Sequence, residues 1–171
     1  GVVFDRRDER LVALPFPKFF NLGERPETEP GRLPDGPFRV SEKVDGSMIV
    51  AFWDERSGRW RTATKGSLTS PQSEWGRKRL TEDIGVERLE PVRGLTLVFE
   101  GIYPQGTFED DLVVDYGDRQ ELLLLTAYDP DRRAELHPSS VEAVAEQLGV
   151  GQPDHHTVDD LQSIRRSVQQ F

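Results

Sequence analysis

The sequence has no cysteine among its 171 residues, so disulfide bridges and thiolate metal sites are excluded. No apolar run approaches the roughly 20 residues that a membrane-spanning helix needs, and no membrane partner is expected. The first residues also lack the basic segment and apolar stretch that mark a signal peptide. Together these absences favour a cytoplasmic protein.

Two other absences concern the ends of the chain. The sequence does not begin with methionine, and Gly1 to Asp5 reads as the middle of a strand. At the other end, Ser167 to Phe171 reads as a helix that is still running. We therefore expect an excerpt from a longer protein.

Acidic residues outnumber basic ones overall, 31 to 22. The net charge of −9 argues against a nucleic-acid partner, because phosphate binding favours Lys and Arg. The distribution along the chain changes this interpretation. Residues 41–80 hold eight basic and five acidic residues, giving +3, whereas residues 81–120 hold three and ten, giving −7. The basic stretch coincides with the motifs below, although an ordinary mixed surface is an equal alternative.

Strand patterns occupy the middle of the sequence and helix patterns its end. Alternating or continuously apolar segments predict strands, while a capping box at Ser139 and apolar stripes predict helices. Residues 25–37, rich in Pro and Gly, predict a loop. The order favours an α+β domain, with a mainly antiparallel sheet and helices against it. The predicted strands are Ser47–Trp53, Arg59–Thr64, Leu95–Tyr103, Leu112–Tyr116 and Glu121–Tyr128, and the predicted helices are Ser73–Asp83, Ser139–Leu148 and Val158–Val168.

The segment Glu42–Ser47 lies just before a strong strand and carries a Lys-x-Asp-Gly pattern. A lysine amine is a good nucleophile only when deprotonated, which desolvation or a neighbouring cation promotes. Gly46 allows a tight turn and the close approach of a ligand, and Asp45 can accept hydrogen bonds that hold the loop. Such a loop could aim Lys43 at a phosphorus atom. The alternative is a surface turn with a solvated lysine.

An upstream segment places Lys18 beside two aromatic residues, Phe19 and Phe20. One ring can support a base while the lysine meets a phosphate or ribose, which suits a nucleotide pocket. Taken alone, the segment is better explained as a loop whose two phenylalanines plug the core.

Two further segments carry charged side chains at strand ends or inside a strand. Lys65 and Ser67 follow the predicted hairpin and could contact phosphates of a nucleotide or nucleic acid, or could form a plain exposed strand end. Glu100 interrupts an apolar strand on the same predicted face as Val98 and Ile102. Because an unpaired buried charge is costly, this placement favours a carboxylate that faces a pocket.

In this order, the four segments resemble the phage-type RNA ligase family, which includes RNA ligase 1 of bacteriophages and the ligase domain of fungal tRNA ligases. Lys43–Ser47 resembles motif I of the covalent nucleotidyltransferases, and Lys18–Asn21 resembles the segment that marks this ligase branch. Thr64–Ser67 resembles the segment after motif I, and Phe99–Gly101 resembles the acidic strand motif. The resemblance spans about Val2 to Tyr128.

The resemblance implies an ATP- and Mg²⁺-dependent enzyme that seals RNA ends. A lysine takes AMP from ATP, AMP passes to an RNA 5′-phosphate, and a 3′-hydroxyl then displaces AMP. Carried over by position, Lys43 is the nucleophile, and the proposed RNA or phosphate contacts are Lys65 and Ser67. The implied ATP-binding residues are Lys18, Glu42 through its backbone near the adenine, Lys43, Asp45, Gly46 and Glu100, the last through the ribose.

The sequence departs from the family after the acidic strand. The family has a later acidic motif, motif IV, and a Lys-x-Lys strand, motif V, whose lysines contact the α-phosphate. No lysine follows Lys78, so both motifs are absent. Residues 1–171 are therefore expected to be a partial adenylyltransferase domain with motifs I to III, whose partner is the rest of the ligase chain. Alone, it should adenylylate poorly or not at all.

Three alternatives stay open. A DNA ligase or an mRNA capping guanylyltransferase shares motif I, but the Lys18–Asn21 segment disfavours both. A non-catalytic, RNA-binding relic of the ligase fold is disfavoured by the intact set of Lys43, Lys18 and Glu100. His155 and His156 could form a metal pair, but a solvated loop before the last helix is the favoured interpretation, and no metal ligand is assigned.

Overall fold

The computed structural model of the protein describes residues 2–109 and 112–168. The chain divides into two compact units, one formed by Gly1–Pro15 and Val44–Gln152, the other by Phe16–Lys43 and Pro153–Phe171. The strands are β1 (Val3–Phe4), β2 (Leu11–Ala13), β3 (Phe38–Ser41), β4 (Ser47–Asp54), β5 (Arg59–Ala63), β6 (Thr96–Ile102), β7 (Glu121–Asp129), β8 (Ala134–Glu135) and β9 (His155–Val158). The α-helices are α1 (Pro71–Lys78), α2 (Val86–Leu89), α3 (Pro138–Leu148) and α4 (Leu161–Val168).

The first unit is built on a five-stranded antiparallel sheet with the order β5-β4-β6-β7-β8. The adjacent hairpin β1–β2 contacts β4. Strands β4 and β5 pair through the predicted hairpin, and β6 lies on the other side of β4. The α+β fold with a mainly antiparallel sheet is confirmed.

The two faces of this sheet pack against different elements. Side chains such as Ile49 and Phe99 lie in the main core with residues of α3, including Leu148. Val50 points to the opposite face, where it packs with Ala13 of β2. Because successive residues of a strand alternate between faces, the even-numbered residues of β4 and β6, Glu100 among them, lie on the β2 side.

Helix α1 begins after Ser70, whose hydroxyl accepts the backbone N–H of Ser73, with Pro71 at the first position. The predicted helix over residues 73–83 consists of most of α1 and a π-helical segment, Arg79–Ile84, that follows α1 directly. This segment buries Leu80 and Ile84. The helix prediction is thus correct in extent, although half of it has wider turns than an α-helix.

Helix α3 ends as predicted, with Gly149 in the left-handed conformation at φ 69°. Its predicted start was wrong by two residues. The N-cap is His137 rather than Ser139, because Pro138 has a fixed φ that suits the first helical turn and lacks an N–H that would need a partner. The His137 side chain instead accepts the N–H of Ser139.

The predicted strand Leu112–Tyr116 is wrong, since the structure places no strand there. Val113 is 91% exposed, and no neighbouring strand pairs with the segment among the described residues. Apolar residues alone do not make a strand, because most of its stability comes from the neighbouring strand.

The second unit holds the two-stranded antiparallel sheet β3–β9, in which Val40 pairs with His156. The loop prediction for residues 25–37 omitted two short 3₁₀ turns, Pro26–Thr28 and Pro30–Arg32. The predictions of a loop at His155–His156 and of Val158 within a helix were wrong, because pairing with β3 draws all three residues into β9.

The part of the chain that the structure describes contains no helix with the length and apolar character needed to cross a bilayer.

Candidate functional site

The Lys-x-Asp-Gly loop ends where β4 begins, and residues of β6 hold it there. The backbone N–H of Gly46 donates to Oε1 of Glu100 at 2.8 Å. Glu100 is part-buried and stands opposite Met48 in the sheet register. The sequence predicted that this carboxylate faces a site instead of bulk solvent. The carboxylate contacts the motif loop itself, and this hydrogen bond fixes the orientation of the Asp45–Gly46 peptide.

The position of Gly46 leaves no room for a side chain. A Cβ atom at this position would lie 2.5 Å from the carbonyl oxygen of Gly101 and 2.9 Å from Cγ of Glu100. Both distances are far below van der Waals contact. The loop therefore lies directly on β6, in agreement with the sequence-based expectation that Gly46 permits a close approach, here of backbone to backbone.

The residue after Gly46 is held by a tyrosine. Oγ of Ser47 and the hydroxyl of Tyr103 are 2.6 Å apart. Tyr103 is 3% exposed and makes edge-to-face contacts with Trp75 and Phe108, with ring centroids 5.4 Å and 4.6 Å away. This aromatic group fixes the position of the Tyr103 hydroxyl.

The residue before Gly46 is held by a second tyrosine. The backbone N–H of Asp45 donates to the hydroxyl of Tyr116 at 3.0 Å. The guanidinium of Arg119 lies 5.6 Å from the centre of the Tyr116 ring, within cation–π range, and also pairs with Glu121 of β7. Sequence reasoning missed Tyr103 and Tyr116 because neither belongs to a motif whose chemistry could be read from residue spacing.

Lys65 and Ser67 form a tight turn after β5. The backbone N–H of Thr64 donates to the carbonyl of Ser67 at 2.8 Å, and the Ser67 hydroxyl accepts the N–H of Thr69 at 3.1 Å. Strand β5 ends at Ala63, opposite Val50. The turn that presents the exposed Lys65 thus leaves the sheet at the end where β4 begins, on the side of the motif loop.

In the second unit, Lys18 stands over an aromatic ring. Its Nζ lies 4.9 Å from the centre of the Phe20 ring, and the Arg25 guanidinium lies 4.8 Å from the same centre. Phe19, whose ring is 6.0 Å from that of Phe16, is 79% exposed. Neither phenylalanine plugs a buried core: Phe19 is exposed, and Phe20 is only part-buried.

Glu42 and Lys43 are the residues of the motif segment that belong to the second unit. The backbone N–H of Glu42 donates to the carbonyl of Asp154 at 2.8 Å and extends the β3–β9 ladder by one bond. This backbone N–H therefore already has a partner within the second unit. Lys43 is exposed and directly precedes Val44, where the first unit resumes.

The structure therefore brings Asp45, Gly46 and Glu100 together within the first unit and places Lys65 at the same end of the sheet. The grouping of Lys18 and Lys43 with Glu100 around one nucleotide stays a prediction. Among the described residues there is no group of three or more His, Asp or Glu side chains that could hold a metal ion.

The first unit thus combines an antiparallel sheet with a Lys-x-Asp-Gly loop at the start of β4 and an acidic residue on the neighbouring strand β6. The fold is that of the nucleotidyltransferase ligases. The chain belongs to the RNA ligase family, because the family model with that description, of the T4 phage type, matches residues 1–171.

Two relatives share substantial sequence. A protein of Thermovibrio ammonificans, provisionally named an RNA ligase, is 39% identical over 132 residues, which are 75% of this chain and 33% of that protein. RNA ligase 1 of bacteriophage TS2126 is 37% identical over 78 residues, which are 42% of this chain and 19% of that protein. The chain thus spans a third or less of the length of these curated relatives.

Solved structures support the fold. A variant of the Naegleria gruberi RNA ligase with ATP and manganese matches with a TM-score of 0.61 and 17% identity, over 94% of this chain and 49% of that chain. A protein of Aquifex aeolicus, provisionally named an ATP-dependent DNA ligase, matches with a TM-score of 0.62 and 17% identity, over 79% and 37%.

Proposed function

We propose that the chain is the nucleotide-binding part of an ATP-dependent RNA ligase, and that Lys43 is the residue that accepts AMP. The observation that carries the proposal is the motif loop, whose Gly46 N–H, three residues after the lysine, is held by Glu100 of β6. Such a fixed loop suits a nucleophile, because orientation of the reacting groups supplies much of the rate.

The proposed reaction has three balanced steps. The deprotonated Nζ of Lys43 attacks the α-phosphorus of ATP, an N–P bond forms as the amine loses a proton to solvent, and pyrophosphate leaves with the electrons of the broken P–O bond. An oxygen of an RNA 5′-phosphate then attacks the same phosphorus, and the N–P electrons return to the lysine with a proton. Finally, a 3′-hydroxyl attacks the activated 5′-phosphorus and loses its proton to solvent, the phosphodiester bond forms, and AMP leaves with the electrons of the broken P–O bond.

Each candidate residue has a role in this proposal. Lys18 and Lys65 supply positive charge for phosphates of ATP or RNA, and Ser67 shapes the turn that carries Lys65. Glu100 holds the loop and lies on a sheet face where it can also accept a ribose hydroxyl. Asp45 and Gly46 carry the loop backbone to the nucleotide.

Magnesium fits this arrangement as a companion of ATP. Mg²⁺ is commonly held by one or two carboxylates together with substrate phosphates and water, so it needs no cluster of protein ligands. In the first unit, Asp45 lies within the motif loop and Glu100 contacts that loop, so their carboxylates are the candidates to share the ion with ATP. When bound, the ion would neutralise charge on the triphosphate.

The RNA substrate follows from the same proposal, and a cytoplasmic location is proposed with it. RNA with a 5′-phosphate and a 3′-hydroxyl is the partner, and the protein acts in the cytoplasm. The chain is proposed to act as a partial adenylyltransferase domain, with the lysines of motif V supplied by the rest of the ligase.

The test uses the full-length protein, Mg²⁺ and ATP labelled on its α-phosphate. We expect covalent label on the wild type and on a Lys78→Ala control, which removes an exposed lysine of α1. Lys43→Ala should carry none. Equal labelling of wild type and Lys43→Ala would overturn the assignment of the nucleophile.

Two further arms separate the neighbouring activities. Labelling by GTP in place of ATP would indicate a capping enzyme. Sealing of nicked DNA but not of RNA ends would indicate a DNA ligase, and absence of any label would leave the non-catalytic relic.

A further inference from the structure

Three consecutive residues of the motif loop are each held by a different side chain. Asp45 donates its N–H to Tyr116, Gly46 donates its N–H to Glu100, and Ser47 shares a hydrogen bond with Tyr103. The three holding residues lie 54 to 71 positions further along the chain, on β6 and the segment after it. The loop is therefore fixed by tertiary contacts at every residue from 45 to 47.

The two tyrosines hold the loop on either side of the Glu100 contact. Tyr103 is nearly fully buried, and its ring is fixed by Trp75 and Phe108. Gly101 allows the Trp75 ring to approach, because a Cβ at Gly101 would lie 2.8 Å from that ring. Helix α1 thus determines where the Tyr103 hydroxyl stands, and that hydroxyl determines where Ser47 stands.

Tyr116 holds the backbone nearest to the lysine. Its hydroxyl accepts the N–H of Asp45, two residues after Lys43. Without that acceptor, the peptide between Val44 and Asp45 could rotate, and the direction in which the chain leaves towards Lys43 would change. A displacement of about 1 Å in a reacting group can cost on the order of a hundredfold in rate.

We propose that Tyr103 and Tyr116 are positioning residues for nucleotide transfer to Lys43, acting through Ser47 and Asp45 respectively. The inference rests on the proposed function. Neither tyrosine needs to touch ATP in this role. Their loss should slow the chemical step at saturating ATP while leaving the ATP concentration for half-maximal rate nearly unchanged, because they order the loop and do not bind the nucleotide.

A matched control comes from the same sheet. Tyr128 is also 3% exposed and donates its hydroxyl to Glu135 at 3.2 Å, on β7 and β8, away from the motif loop. Tyr128→Phe removes a hydroxyl of the same chemistry from the same unit. It reports what the loss of one tyrosine hydrogen bond does to the fold alone.

The experiment measures single-turnover formation of lysyl-AMP by the full-length protein over a range of Mg²⁺-ATP concentrations, together with thermal unfolding. We expect Tyr116→Phe and Tyr103→Phe each to lower the maximal rate by about tenfold or more, with less than about threefold change in the half-saturating ATP concentration. Tyr128→Phe should retain the wild-type rate even if its unfolding temperature falls as far as theirs.

A double-mutant cycle tests the route through Ser47. If Tyr103 acts through that hydroxyl, the double variant Tyr103→Phe/Ser47→Ala should be no slower than the slower single variant. If the rate loss in the double variant equals the product of the losses in the two single variants, Tyr103 does not act through Ser47.

The remaining outcomes separate the two proposals. Wild-type rates in both Tyr→Phe variants, or an equal loss in Tyr128→Phe, would overturn the positioning role while leaving Lys43 labelling intact. Failure of the wild type itself to form lysyl-AMP would overturn the proposed function and this inference with it.

Discussion

The backbone N–H of Gly46 and Oε1 of Glu100 are joined by a 2.8 Å hydrogen bond that ties the motif loop to β6. The bond runs between residues 54 positions apart, so it can form only when β4 and β6 pair in the observed register. The ordering of the loop by this contact therefore depends on the folded sheet.

The first prediction concerns this carboxylate. Glu100→Gln keeps an acceptor for the Gly46 N–H but removes the charge, and charge-assisted hydrogen bonds are about twice as strong as neutral ones. We expect a loss of about 1 kcal/mol in stability and roughly a tenfold slower formation of lysyl-AMP. Glu100→Ala should lose more of both, because the Gly46 N–H then has no side-chain acceptor at this position.

Glu82→Gln is the control for that series. Glu82 lies in the π-helical segment Arg79–Ile84, and its observed partner is Lys78. Thermal unfolding and single-turnover labelling of all three variants should place this control near the wild type. Wild-type labelling and stability in Glu100→Ala would contradict the role of the Gly46 contact.

The second prediction concerns the close approach at Gly46. Gly46→Ala would place a Cβ 2.5 Å from the Gly101 carbonyl oxygen, which belongs to backbone and cannot move without distorting β6. Overpacking of this kind costs about 1–3 kcal/mol, and we expect that loss in the free energy of unfolding by denaturant titration. At Gly94 an added Cβ meets nothing within 4 Å. Gly94→Ala should therefore change stability little, and equal effects at both positions would contradict the packing argument.

The sequence predicted the central sheet well because its strands carry their own signal. The apolar runs of β4, β6 and β7 mark the strands, and the polar turn between β4 and β5 predicts the pairing of those two strands. The segments that failed depend on partners distant in sequence. His155–Val158 has a polar, exposed composition and becomes a strand only by pairing with β3.

The candidate site divides in the same way. Lys43, Gly46 and Glu100 were proposed as site residues from their short patterns and the family resemblance, and their roles stay predictions. Tyr103 and Tyr116 could not be found in this way, because a tyrosine hydroxyl acquires its role from what the fold places beside it. Glu100 was predicted to bind a ligand, and the structure adds a structural contact that its position in an apolar strand did not reveal.

A third prediction concerns Asp54 at the end of β4. Burial raises the pKa of this carboxyl, but hydrogen bonds from Ser57 and from backbone N–H groups, with Arg61 nearby, outweigh it and hold the pKa below the ordinary value. A lowered pKa in the folded state stabilises the fold above the unfolded pKa, and that contribution disappears as the pH falls through the folded value.

Asp54→Asn should therefore lower the free energy of unfolding by about 1 kcal/mol at neutral pH, where the carboxylate is charged. The difference from the wild type should shrink under acidic conditions, where both side chains are neutral. Denaturant titrations at several pH values check this. Asp131→Asn, which changes an exposed turn residue, serves as the control. A difference that grows towards acid would contradict the role of the charge.

The last prediction concerns Tyr128 at alkaline pH. Burial, reinforced by the negative charge of Glu135 and the hydrogen bond to it, raises the pKa of Tyr128 from 10.0 to about 12. Because the folded pKa lies above the unfolded one, the contribution of this group to stability is complete below about pH 10 and is lost as the pH rises towards 12. The ultraviolet absorbance of tyrosinate should show a late ionisation that is absent in Tyr128→Phe. Glu135→Gln removes the charge but keeps the ring buried, so it should move that ionisation to lower pH without restoring the ordinary value. A late step that persists in Tyr128→Phe would assign it to another tyrosine.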